Sequence, residues 1–238
     1  MTLCIITARG GSKRIPRKNI RLFHGRPMIA WPIAAALASG LFSTVLVSTE
    51  DAAIAETARQ AGASTPFLRP AALADDYTHA HVAARHALTL ARDMLGDQDP
   101  FFCHLYPCTP FLDAALLRRG YEAMRQGRFD NLLTVTRLGF PVYQMLRRTP
   151  EGALDPFFEP SLANARSQDM PTAVFDLGWM YWYRTEHFLT HDPAVTDRTG
   201  SIEVPSAFAV DIDEEEDWDR AETLFAAFHD AGQALTKD

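Results

Sequence analysis

The first 49 residues of this 238-residue chain contain no aspartate or glutamate, although the whole carries 30 of them. The same stretch holds seven of the 23 Lys and Arg residues. The remainder therefore has 16 bases against 30 acids, or −14, within a total of −7. A basic segment on an acidic protein predicts a local anion site and excludes a general nucleic-acid surface, which needs a basic domain. Cysteine is scarce, and Cys4, Cys103 and Cys108 form no CxxC pair. A disulfide framework and a metal knuckle are thereby excluded, and a reducing, cytoplasmic setting is expected. Long apolar runs are lacking as well. None reaches the ~18 residues of a membrane span. The leading "MTLCIITA" is too short for a secretory core, and its cations follow instead of preceding it, so no signal peptide is expected.

What is present reads as one domain over 1–238. Hydrophobic residues make up 47% of the chain, enough for a full core. Leu3–Ala8 has a buried-strand pattern, followed by a Gly-rich basic loop. "PMIAWPIAAALASG" predicts a helix, with Pro27 in its first turn, Gly40 at its end and a kink at Pro32. Ser43–Thr49 is a second strand, and "DAAIAETARQAG" a helix ending at Gly62. A helix over about 78–95, a strand at Phe101–Tyr106, a helix capped by Asp113 and a strand at Asn131–Thr136 complete the regular part. Residues 138–172 are rich in proline and turn formers, which predicts an inserted lid or dimerisation arm. Val174–Tyr183 is apolar and aromatic. Ala207–Ile212 reads as a strand leading into a last helix over about 214–231. Alternating strands and helices imply a doubly wound, mostly parallel α/β sheet, with ligands outside the C-terminal strand ends.

The loop "TARGGSKRIPRKN" is then the feature to explain. Gly10 and Gly11 allow backbone N–H groups close to a ligand, and Arg9, Lys13 and their neighbours balance its charge. These features describe a phosphate cradle, yet neither GxxxxGK[ST] nor GxGxxG is present. Downstream, "DIDEEEDWD" packs seven acids into nine residues. Alternation along a strand puts Asp211 and Asp213 on one side as a pair of hard oxygen ligands, while Glu214–Asp219 suit a helix N-terminus. In "THAH", two histidines at i, i+2 on a helix would point to different faces, which argues against a metal site there.

"ARGGSKRIPRKNI", "VSTEDAAIAETARQAGA", "LRPAALADD" and "DIDEEEDWDRAE", in that order along nearly the whole chain, resemble the CMP-sialic acid synthetase family. "CHLYPCTPFL" and "RSQDMPTAVFDLGWMYWY" are closer to one branch, the pseudaminic acid cytidylyltransferases, although Trp179 departs from the Gln usual there. The resemblance implies a three-layer α/β/α Rossmann-like nucleotidyltransferase fold whose arm swaps into a homodimer, and CTP and a nonulosonic acid as substrates. The sugar's own anomeric hydroxyl would be the nucleophile, so no catalytic triad is required. Mg²⁺, or Mn²⁺ in its place, would sit on Asp211 and Asp213. The resemblance assigns catalytic roles to Arg9 and Lys18. It places Ala8, Gly10, Gly11, Ser12, Lys13, Asn19 and Arg69 at the nucleotide. The sugar would meet Tyr106, Arg166, Gln168, Asp169, Asp176 and Trp182. Two alternatives stay open: another acidic sugar such as sialic or legionaminic acid, or an idle nucleotide-binding module. No nucleic acid or membrane partner is expected.

Overall fold

The computed structural model describes residues 2–96, 99–159, 166 and 170–230. Its centre is a six-stranded sheet. The first strand, β1 (Thr2–Thr7), is buried at every position, as its continuous apolar run requires. It pairs in parallel with β4 (Phe42–Ser48) on one side and β5 (Phe101–Leu105) on the other. Beyond β5 come β9 (Val174–Arg184), β6 (Asn131–Arg137) and β10 (Thr199–Glu203), giving the order β10-β6-β9-β5-β1-β4. Only β9 runs against its neighbours.

Two hydrophobic layers sandwich the sheet. On one face, α1 (Ala30–Ser39), α2 (Ala52–Gln60), α4 (Ala114–Arg125) and the last helix, α6 (Glu215–Asp230), share a core with Cys4, Ile6, Val45, Leu132, Met180 and Trp218. On the other, α3 (Ala80–Leu95) and the short α5 (Thr185–Thr190) cover Leu3, Ile5, Phe102 and Tyr183. The three-layer expectation therefore holds. The cap at Asp113 sits where the sequence puts it, accepting from the Leu116 N–H, and Asp51 caps α2 likewise, accepting from the N–H groups of Ala53 and Ile54.

Three local expectations are corrected. Pro27 is not in the first turn of α1; it closes a two-residue ribbon, β2 (Leu22–Phe23) with β3 (Arg26–Pro27). Pro32 falls in that first turn instead, where its missing N–H has no carbonyl to serve, so no kink is forced. Ala207–Ile212 is not a strand. Val210 and Ile212 are buried, but the ladder beside β6 is occupied by β10.

Within 138–172, the described residues form a small hairpin, β7 (Leu146–Arg148) with β8 (Leu154–Pro156), after a single 3-10 turn at Val142–Gln144. Phe140, Met145, Leu146, Leu154 and Phe157 are all exposed on it.

Candidate active site

The C-terminal ends of β1 and β5, the start of β9 and the segment before α6 enclose a cavity of about 720 Å³. Its lining includes Ala8, Arg9, Ser12, Lys13, Lys18, Asn19, Arg69, Tyr106, Asp176, Asp211 and Asp213. Residues scattered over 200 positions meet there because parallel strands all deliver their following loops to one edge.

The basic loop is pinned before it is charged. Ile15 is fully buried in the core, so the cations on either side of it are turned outward. Arg17 takes a left-handed conformation (φ 54°, ψ 30°) at the entry to the single turn Lys18–Ile20, which swings Lys18 and Asn19 back to the cavity. Asn19 is buried and occupied at both ends. Its Nδ2 donates to the Arg9 carbonyl (2.8 Å), and its Oδ1 accepts from the Cys108 thiol (3.3 Å). Burial holds that thiol protonated, pushing its pKa up to about 12. Arg69 is the second clamp. Its guanidinium donates to the Ser48 and Ala8 carbonyls (3.2 and 3.1 Å) and to Glu50 (2.8 Å). Burial lowers its pKa and the Glu50 charge opposes that. Asn19 and Arg69 thus line the cavity, and each spends one bond on the backbone of the loop, at Arg9 and at Ala8. Glu50, which sequence reasoning passed over, completes the clamp by accepting from the Gly10 N–H (2.7 Å).

Gly10 serves a different purpose from the one expected. Neither glycine lines the cavity, and the Gly10 N–H is already bonded to Glu50. A Cβ on Gly10 would come within 2.6 Å of the Asp51 carboxylate, so glycine is needed there for loop and helix α2 to approach. Around Gly11 there is open space.

The outward cations are held by carboxylates of the chain itself. Asp76 bridges Arg9 (2.8 Å) and Lys13, and the bonds from Lys13 and then Arg9 hold its carboxyl below the usual range. Lys18 donates to the Ile212 carbonyl (2.6 Å) and to Asp213 (3.3 Å), and Arg14 reaches Asp213 at 2.7 Å. Carboxylates occupying these positions mark them as anion sites.

Asp211 and Asp213 flank buried Ile212 and both face the cavity, so the pairing holds although no strand carries it. Their environments differ. Desolvation by the cavity walls, and then the charge of Asp213, raise the Asp211 carboxyl. Burial also acts to raise Asp213, but Lys18 and Arg14 outweigh it and hold that carboxyl low. The buried Trp179 indole donates to the carbonyl of Val210 (3.4 Å), next to Asp211, which gives this unusual residue a supporting part.

On the far side, Trp182 is not in the cavity. It is fully buried between Phe42 and Tyr121 on the α4 side of the sheet. The reason is Gly178, at φ 64°, where β9 breaks step and the pairing with β6 shifts register. Asp176 therefore shares a face with Tyr181, which donates to its carboxylate (2.9 Å), and not with Trp182. Tyr106 lies against Tyr181, ring centroids 5.4 Å apart. Arg166 is exposed, and Gln168 and Asp169 lie outside the described residues. His79 and His81 do not diverge either. His79 is the extended N-cap of α3, not a helical residue, and the two rings stack 5.4 Å apart. Among the described residues no three His, Cys, Asp or Glu side chains are grouped to hold a metal.

A loop of cations and two carboxylates share one cavity at the strand ends, the make-up of a nucleotide-phosphate site, and comparison with known proteins gives the class, a nucleotidyltransferase. The chain belongs to the cytidylyltransferase family, whose pattern matches residues 3–144. It is 34% identical over 229 residues to the pseudaminic acid cytidylyltransferase of Campylobacter jejuni, covering 96% of this chain and 98% of that protein. A Helicobacter pylori protein is 32% identical over 88% of this chain, which spans 40% of it. That protein is named pseudaminic acid cytidylyltransferase and UDP-2,4-diacetamido-2,4,6-trideoxy-beta-L-altropyranose hydrolase. Among solved structures, a CMP:2-keto-3-deoxy-manno-octonic acid synthetase complexed with CTP superimposes with a TM-score of 0.70 over 95% of this chain and 99% of its own, at 14% identity. That likeness concerns the fold.

Proposed function

We propose that the protein is a cytoplasmic, Mg²⁺-dependent CMP-nonulosonate synthetase that couples pseudaminic acid to CTP. The sugar's anomeric oxygen forms a bond to the α-phosphorus of CTP as the bond from that phosphorus to the β-bridging oxygen breaks. Pyrophosphate leaves, and the hydroxyl proton passes to water. Such transfers depend mainly on positioning and charge neutralisation. Arg9, Lys13 and Lys18 exchange their carboxylate partners for phosphate oxygens, and Ser12 lines the same cradle. Asn19 and Arg69 keep the cradle in shape through its backbone.

Asp211 and Asp213 suit Mg²⁺. Two adjacent carboxylates, one raised by burial and by its neighbour's charge, are relieved by a hard divalent cation. The small number of ligands also fits, because Mg²⁺ is commonly bound through one or two carboxylates plus water and substrate phosphates. When bound, the ion would neutralise and orient phosphate oxygens. A homodimer built through the 138–172 arm is part of the reading. Its support is the set of apolar side chains exposed on the hairpin and at Val174 and Phe175.

The observation that carries the proposal is the single cavity setting those cations against two carboxylates, in a chain that matches a pseudaminic acid cytidylyltransferase along nearly its whole length. Its test is a screen of free nonulosonic acids with CTP, reading pyrophosphate and the CMP-sugar product. The expected result is turnover with pseudaminic acid in preference to sialic and legionaminic acids. Light scattering at micromolar concentration checks the dimer, and a fully active monomer would remove that part.

A further inference from the structure

Asp211 stands on a segment that the sheet does not hold. The ladder beside β6 is taken by β10, so side chains fix the backbone from Val210 to Asp213 instead. Asp211 lies between two carbonyls, each of which accepts from a side chain. The Trp179 indole N–H donates to the Val210 carbonyl on one side (3.4 Å), and the Lys18 ammonium to the Ile212 carbonyl on the other (2.6 Å). Asp213 is set separately. Its N–H and that of Glu214 donate to the Asp217 carboxylate in the first turn of α6 (3.1 and 2.9 Å).

The two ties beside Asp211 differ in permanence. Lys18 also donates to Asp213 and belongs to the phosphate cradle, so its bonds are open to exchange when a ligand enters. Trp179 is built in. It is 1% exposed, its own carbonyl accepts from the Tyr106 N–H (3.2 Å), and its ring stacks on Phe111 with the planes 11° apart. Phe111 rests in turn on Phe225 of α6, ring centroids 5.6 Å apart. The indole N–H is thereby carried by a central strand and an aromatic stack, and a donor held so rigidly fixes the chain it bonds.

We propose that Trp179 is a positioning residue for Asp211. Its indole N–H holds the Val210 carbonyl, and so sets the place of the carboxylate one residue further on, which faces the cavity. The proposal rests on the reading of Asp211 and Asp213 as a Mg²⁺ pair and adds the residue that keeps the pair in register.

The test separates the N–H from the ring. Trp179→Phe keeps an aromatic ring against Phe111 and removes the donor. Trp179→Gln removes the ring and restores a donor, because its amide nitrogen lies as many bonds from Cα as the indole nitrogen does. Mn²⁺ is titrated into each protein with saturating CTP and no sugar, and followed by EPR, so that binding is read without turnover. Trp179→Phe should bind Mn²⁺ about tenfold more weakly and lose a similar factor in kcat, with little change in the CTP KM. Trp179→Gln should have the lower urea midpoint of the two and the tighter Mn²⁺ binding. Mn²⁺ affinity that follows the urea midpoint, with Gln worse than Phe, would reduce Trp179 to core packing and overturn the proposal. So would unaltered Mn²⁺ binding in Trp179→Phe. Mn²⁺ binding that survives Asp211→Asn unchanged removes the metal reading itself, and the positioning role with it.

Discussion

The two sides of the cavity are built on different principles. On the phosphate side, the cations Arg9, Lys13, Arg14 and Lys18 are already matched by Asp76 and Asp213, and the backbone beneath them is fastened by Asn19, Arg69 and Glu50. On the opposite side, aromatic rings and one hydroxyl–carboxylate pair leave room and little charge. The first side recognises charge and can be assembled in advance with carboxylates as placeholders. The second offers shape and rings in place of charge.

That contrast breaks most visibly at the two carboxylates proposed to hold Mg²⁺. Asp211→Asn and Asp213→Asn keep size and remove charge, and each should lower kcat by on the order of 100-fold or more with a smaller effect on CTP binding. Glu215→Gln, which loses only a surface pair with Arg21 (2.6 Å), should cost little. Damage from Glu215→Gln equal to that from Asp213→Asn would move the metal to other carboxylates.

Next come the two kinds of basic residue. Arg9→Ala and Lys18→Ala should weaken CTP use by roughly 10- to 1000-fold without altering the urea midpoint. Arg69→Ala should lower stability by about 3 kcal/mol, because it frees the Ala8 carbonyl and leaves Glu50 without its buried partner. Equal stability of Arg69→Ala and Arg9→Ala would erase the distinction between clamp and cradle.

Acid should expose a buried neutral group. Burial lowers the His104 pKa from 6.5 to about 3, so below pH 6.5 the unfolded chain takes up a proton that the native state refuses. Its contribution to stability is complete above pH 6.5 and is lost progressively toward pH 3. Urea midpoints measured between pH 7 and pH 4 should fall less steeply in His104→Gln. The smallest expected effect belongs to the placeholder. Asp76→Asn should tighten CTP binding by about two- to fivefold, since an exposed pair is weak. Weaker binding would show that Asp76 contributes to the ligand-bound state.

Much of the phosphate side was legible in the sequence because charge survives as a pattern. Seven cations without an acid, and seven acids in nine residues, announce two poles that the fold docks at Lys18, Arg14 and Arg21 against residues 213–215. The buried strands β1, β4, β5 and β6 were legible from their apolar runs. The opposite side was not, because β9 is central and apolar on both faces, so parity cannot be read from residue type. Simple alternation pairs Asp176 with Trp182, but around Gly178 the register between β9 and β6 shifts, from Leu133 opposite Tyr181 to Val135 opposite Asp176, and this brings in Tyr181. The edge strand β10 was hidden for the opposite reason. Its sequence, TGSIE, has one buried apolar side chain, whereas the more apolar Ala207–Ile212 finds no ladder to join.

The central claim is transfer of a cytidylyl group at this cavity, and pyrophosphate release from CTP measures it most directly. Release should require both CTP and pseudaminic acid, stop in EDTA and resume on adding Mg²⁺ or Mn²⁺. A protein that binds CTP yet releases no pyrophosphate with any acidic sugar in the presence of Mg²⁺ would contradict it.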